Sequence, residues 1–111
     1  MKKIDCILRP HKLEEVKTAL SELGITGMTV SEVRGCGSSL PGSDGFGEEM
    51  LIRLPMRLRL EMMVPDELVE PVIETILRHA RTGQYDDGKI FVLPYQDAIR
   101  IRTEERGEAA L

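Results

Sequence analysis

The segment Gly83-Gln84-Tyr85-Asp86-Asp87-Gly88-Lys89 has the G-x-x-x-x-G-K spacing of a loop that wraps phosphate with backbone N–H groups and a lysine ammonium. Its continuation breaks that pattern. Ile90 stands where a P-loop carries Ser or Thr, and Ile90-Phe91-Val92-Leu93 has strand rather than helix character. A P-loop depends on a helix N-terminus behind it, so this is another kind of phosphate-facing loop or an ordinary turn. Lys89 brings a point charge and Gly88 a permissive backbone position. Further on, Arg100-Ile101-Arg102 alternates, which puts two guanidinium forks on one side of an extended segment. Lys89, Arg100 and Arg102 together offset about three phosphate charges. The competing reading is a charged sheet edge, which Lys and Arg commonly protect.

A second source of donors is Gly35-Cys36-Gly37-Ser38-Ser39, the start of a segment rich in Gly and Ser that continues through Gly47. Gly35, Gly37, Ser38 and Ser39 offer N–H and O–H groups to a phosphate; a solvated linker is an equally weighted reading. Asp86 and Asp87 form an adjacent acidic pair, more often a solvated turn than a metal site. His11 and His79 belong to no ligand-spaced motif, and neither H-E-x-x-H nor G-x-S-x-G occurs, so no catalytic residue and no metal site is expected. Two cysteines make neither a disulfide framework nor a four-ligand zinc site, and Cys6 alternates with Ile4 and Leu8 as a small buried hydrophobe.

The elements that must carry these groups follow from periodicity. Residues 3–9 alternate, with Ile4, Cys6 and Leu8 on one face. Pro10 opens a helix whose Leu13, Val16, Leu20 and Leu23 recur at helical spacing, and Gly24 ends it. A second strand spans 26–34. The order then repeats: a strand over 57–64 with Leu58, Leu60, Met62 and Val64 inward; a helix from Pro65-Asp66-Glu67 that Pro71 should kink or loosen; and a strand over 88–93. A short fifth strand is expected over 98–102, and a loose charged tail over 104–111. This is an α+β chain, a ferredoxin-like double βαβ sandwich with both helices on one face of an antiparallel sheet. Arg57, Arg59, Glu61 and Ile7 fall on the other face, a mixture that favours an oligomer.

At 111 residues with 41% apolar composition, the chain is expected to form one domain, 1–111. A net charge of −4 argues against direct nucleic-acid binding. No apolar run approaches membrane-spanning length, and Asp5 and Arg9 interrupt any signal-peptide pattern; cytoplasm is the expected location.

Several segments, in order and over nearly the whole chain except 38–56, resemble P-II signal-transduction proteins. They are Met1-Lys2-Lys3-Ile4-Asp5, Pro10-His11-Lys12-Leu13, Gly24-Ile25-Thr26-Gly27-Met28-Thr29-Val30, Val64-Pro65-Asp66, Thr82-Gly83, Asp87-Gly88-Lys89-Ile90-Phe91-Val92 and Ile99-Arg100-Ile101-Arg102-Thr103. The resemblance implies a homotrimer with ATP or ADP in each of three clefts between neighbours. No cofactor is obligatory, and Mg²⁺ is an optional companion of the nucleotide. Thr29 and Met63 would lie near the adenine. Gly35, Gly37, Ser38 and Ser39 would stand beside the phosphates where the long T-loop, about 37–52, begins. Asp86, Asp87, Gly88 and Lys89 would belong to the B-loop, about 82–89, and Arg100, Ile101 and Arg102 would complete the phosphate clamp. The T-loop would regulate a transporter, enzyme or regulator, in nitrogen metabolism. Arg57 stands near the place of a lysine that helps bind 2-oxoglutarate in the family.

The departures carry expectations of their own. The glycine usual before Asp-Gly-Lys is Asp86, whose carboxylate would repel outer phosphates by a few kcal/mol at an effective dielectric near 20. A preference for ADP or AMP over ATP follows, unless a cation or an arginine neutralises Asp86. Ser39 replaces the T-loop's usual glutamine, which weakens the case for 2-oxoglutarate sensing. The tyrosine that many relatives have modified is absent, Phe46 being that loop's only aromatic. An alternative is an energy or metabolite sensor that regulates a membrane transporter without a 2-oxoglutarate response. A slow nucleotide hydrolase using Asp86 with a metal is the reading from a different class.

Overall fold

The computed structural model describes residues 1–35 and 54–111. Expectations for Cys36, Gly37, Ser38, Ser39, Phe46 and the 37–52 loop lie outside the described residues.

Among the described residues, six main elements follow one another: β1 (Lys2–Leu8), α1 (Leu13–Glu22), β2 (Thr29–Arg34), β3 (Met56–Val64), α2 (Val69–Ala80) and β4 (Gly88–Pro94). The strands form one antiparallel sheet in the order β2-β3-β1-β4. Register fixes the faces. Ile4 opposes Met62 and Val92, and Cys6 opposes Leu60 and Ile90, so these side chains share one side of the sheet. Val16 and Leu20 of α1 and Val72, Ile76 and Ala80 of α2 close over that side and complete the core. The ferredoxin-like double βαβ arrangement expected from the alternation is present.

Gly24 ends α1 as expected, at φ +89°. Its N–H donates to Ser21 O and that of Ile25 to Leu20 O, the paired bonds of a Schellman cap, while Ile25 buries its side chain in the core. Pro71 does not kink a longer helix. A 3-10 turn, Asp66–Leu68, precedes α2, and Pro71 falls in the first α-helical turn, where a backbone N–H has no intrahelical acceptor to lose. Residues 98–102 form no fifth strand. Ile99 and Arg106 make a single bridge across a tight turn, with Arg100 N–H donating to Glu105 O at 2.9 Å. The tail expected to be loose adds a 3-10 turn, Gly107–Ala110.

The helix-free face carries diagonal ion pairs. Arg59 meets Asp5 at 2.6 Å and Lys3 meets Glu61 at 2.7 Å. The guanidinium of Arg59 holds the Asp5 carboxyl below its ordinary value against the opposing effect of burial. Phe91 and Leu93 are exposed on this face, as is Val92 on the other. Where β4 and α2 diverge, an open groove of about 370 Å³ is lined by Ile73, Ile76, Leu77, Ala80 and Ile90.

Cys6 is 2% exposed, and burial pushes its thiol up to about 12. In a Cys36→Ser background the native protein should therefore give no colour with an aromatic disulfide reagent at pH 8, and one equivalent after denaturation. Prompt reaction of the native form would contradict this packing.

Candidate nucleotide site

The 82–89 loop joins α2 to β4 and takes its shape from backbone positions that glycine favours. Gly83 has φ +86° and Gly88 φ +120°; Asp86 has φ +66°, a conformation few side chains accept but aspartate tolerates. At Gly88 the requirement is also steric. A Cβ there would lie 1.8 Å from the carbonyl oxygen of Ile7, against backbone that has no rotamer to yield.

Asp87 organises this loop from within. Its carboxylate accepts four hydrogen bonds: from the Thr82 amide and hydroxyl, the Gly83 amide and Arg9 Nε. Burial pushes the Asp87 carboxyl up, but the Thr82 hydroxyl, the two amides and Arg9 overcome it and hold the group well below the usual carboxylate range. Arg9 also donates through Nη2 to Tyr85 O at 2.6 Å, so one guanidinium ties the loop at two points to the end of β1. Neither Arg9 nor Thr82 stood out as a functional residue in the sequence. The signal for Arg9 was the strand register: β1 and β4 pair Leu8 with Gly88, which places residue 9 opposite residue 87.

Asp86 turns to a different partner. Its Oδ2 lies 3.0 Å from Arg57 Nη2, with the two side chains 15% and 9% exposed. The arginine named as the exception to phosphate repulsion is therefore present. With Arg57 as counter-charge, Asp86 carries no argument for ADP or AMP over ATP. Arg57 also donates to Met56 O at 2.9 Å.

The remaining candidates divide into groups. Lys89 is exposed on the helix-free face opposite Ile7, and it makes no ion pair among the described residues. Gly35 follows β2 and donates its N–H to Pro55 O, just before the start of β3 that carries Arg57. Thr29 and Met63 occupy the other end of the β2–β3 pair, where Thr29 opposes Glu61 and Met63 opposes Lys3. Arg100, Ile101 and Arg102 follow the far end of β4, whose length separates Lys89 from Pro94 by about 17 Å. Arg100 bonds Leu111 O and pairs with Glu105; Ile101 is 96% exposed. No bond among the described residues joins this turn to the 82–89 loop. One copy thus brings Arg57, Asp86, Asp87, Gly88 and Lys89 together and leaves Arg100 and Arg102 apart.

No group of three or more metal-ligating side chains occurs among the described residues, and none of their helices is long and apolar enough to cross a membrane.

A family model described as nitrogen regulatory protein P-II matches residues 1–105. The chain is 46% identical to nitrogen regulatory protein P-II 1 of Escherichia coli K12 over 112 aligned residues, covering all of both chains. It is equally similar, at 46% over the full length, to nitrogen regulatory protein P-II of Haemophilus influenzae. Among solved structures, Arabidopsis thaliana PII bound to citrate superposes with a TM-score of 0.81 at 44% identity, covering 99% of this chain and 91% of that one. The chain belongs to the nitrogen regulatory protein P-II family.

Proposed function

We propose that this protein binds an adenine nucleotide, ATP or ADP with AMP as a weaker candidate, in clefts between the subunits of a homotrimer. The nucleotide state then controls a partner protein through residues 37–52. The observation that carries this reading is the division of the basic groups. Lys89 is presented by a loop already braced by Asp87 and Arg9, while Arg100 and Arg102 follow the opposite end of β4 and need a second copy to reach a shared anion. Exposed Phe91, Val92 and Leu93 and the open groove beside α2 favour such a neighbour.

Each cation has a distinct role. Lys89 supplies a compact charge to the phosphates, and the Gly88 amide lies beside it. Arg100 and Arg102 of the adjoining copy add forked donors. Thr29 and Met63 would border the base. Regulation needs a differential: ligand moves the 37–52 loop only as far as its affinities for two loop arrangements differ. The regulated partner is a transporter, enzyme or regulator of nitrogen metabolism, and the protein would act in the cytoplasm.

Calorimetry with ATP, ADP and AMP, with and without Mg²⁺, tests the reading, alongside light scattering for the trimer. Lys89→Ala and Arg100→Ala should each lower affinity about tenfold or more, the worth of one charged hydrogen bond. Absence of nucleotide binding by the parent chain would overturn the proposal. The second reading, a sensor that lacks the 2-oxoglutarate response and addresses a membrane transporter, is favoured by the Arg57–Asp86 pair, which already occupies Arg57. A hydrolase is disfavoured because that pair engages Asp86 and four donors engage Asp87, so neither carboxylate is poised as a base. Sustained phosphate release over many turnovers would reverse that ranking.

A further inference from the structure

The Arg57 side chain is 9% exposed, and its guanidinium has donors directed to Met56 O and to Asp86 Oδ2. A cation withdrawn from water to this degree requires an anion close by, because desolvation of an unpaired charge is strongly unfavourable. Here the anion belongs to the protein itself. It is delivered 29 residues along the chain by a loop position at φ +66°, where glycine would sit without strain. The backbone of the 82–88 loop is braced separately by Asp87, Thr82 and Arg9. Asp86 thus brings its charge to Arg57 from a loop that has bracing of its own.

We propose that Asp86 is a resident carboxylate ligand of Arg57. It fills an anion-binding position between the start of β3 and the 82–88 loop, so that a small carboxylate from solution binds there only when Asp86 is removed. Asp86 is thus a specificity-determining residue that excludes such effectors by prior occupancy. An Arg guanidinium has five N–H donors in a planar fork matched to a carboxylate, and Asp86 is held in ion-pair contact with that fork. An external carboxylate would have to displace a tethered competitor, whose effective concentration for a short, ordered connection reaches the millimolar range or above.

The Arg57–Asp86 contact is present whether or not nucleotide binds, so its test is separate from that of the proposed function. Asp86→Gly removes the carboxylate and relieves the positive φ; Asp86→Asn keeps a residue that tolerates that φ but lacks charge. The experiment titrates the full chain and both variants with citrate and with 2-oxoglutarate, in the presence and absence of Mg-ATP. Nucleotide affinity is measured separately on the same samples. Both variants should bind at least one of the two carboxylates tenfold or more tightly than the parent chain, and adding Arg57→Met to Asp86→Gly should abolish the gain. Equal binding by parent and variants, no binding by any of them, or a gain that survives loss of Arg57 would overturn the proposal. If Asp86→Gly fails to fold, Asp86→Asn with and without Arg57→Met reads the same outcomes. A parent chain that binds nucleotide normally while the variants fail these criteria would sink this inference and leave the proposed function standing.

Discussion

Gly88→Ala should be less stable than the parent chain by about 2–5 kcal/mol, measured by denaturant unfolding at one fixed protein concentration. Two independent terms act at this residue. Its φ of +120° lies outside the region that L side chains adopt readily. The added Cβ would also fall 1.8 Å from Ile7 O and 2.8 Å from its carbonyl carbon. Both atoms belong to β1, an inner strand, so relief requires parting β4 from β1 where Gly88 opposes Leu8. Since Lys89 is the next residue, nucleotide affinity should fall with stability. A variant with unchanged midpoint and slope would mean that the close approach of β1 and β4 at this point is wrong.

Asp87→Ala should loosen the 82–88 loop locally by about 2–4 kcal/mol, because it strips a charged acceptor from two amides, a hydroxyl and a guanidinium at once. Amide exchange at Thr82 and Gly83 should accelerate roughly 30-fold to several hundred-fold, while core amides such as that of Leu60 change far less. The variant also makes a prediction about acid. The Asp87 carboxyl lies below its ordinary value in the folded chain, so its stabilisation is complete above the unfolded-state value of about 3.9 and is lost as pH falls from there toward the native value. Asp87→Asn should accordingly differ most from the parent near neutrality, with the difference shrinking below about pH 4. A constant difference from pH 7 to pH 3 would show that the carboxylate's charge is not what braces the loop.

How much of this was legible beforehand depended on whether the deciding interaction was local. Gly24 was readable because a Schellman cap is written within six residues and needs a positive φ. The inward faces of β1 and β3 were readable because alternation alone assigns them. Pro71 was misjudged for a local reason of another kind: a proline inside a helical pattern is harmless in the first turn, and the pattern did not show that Asp66–Leu68 would be a separate 3-10 turn. Ile99 and Ile101 alternate as a strand does, but a strand also needs a partner edge, and one copy offers 99 only a bridge to Arg106. At the site, Asp86, Asp87, Gly88 and Lys89 were identified together, but what the two acids do was not. Their partners, Arg57 in β3 and Arg9 just after β1, lie far away in the sequence, and only the fold selects which arginine meets which carboxylate.

β1 lies between β3 and β4, and Leu8 opposes Leu58 on one side and Gly88 on the other. It therefore acts as a common gauge for the site. Sliding it by a single residue against either neighbour would turn its buried side chains outward. The same slip along β4 would move Arg9 away from residue 87 and unseat the loop it braces. Placement of the lysine and closure of the core are thus one mechanical tolerance, and an insertion within 2–8 should abolish both together.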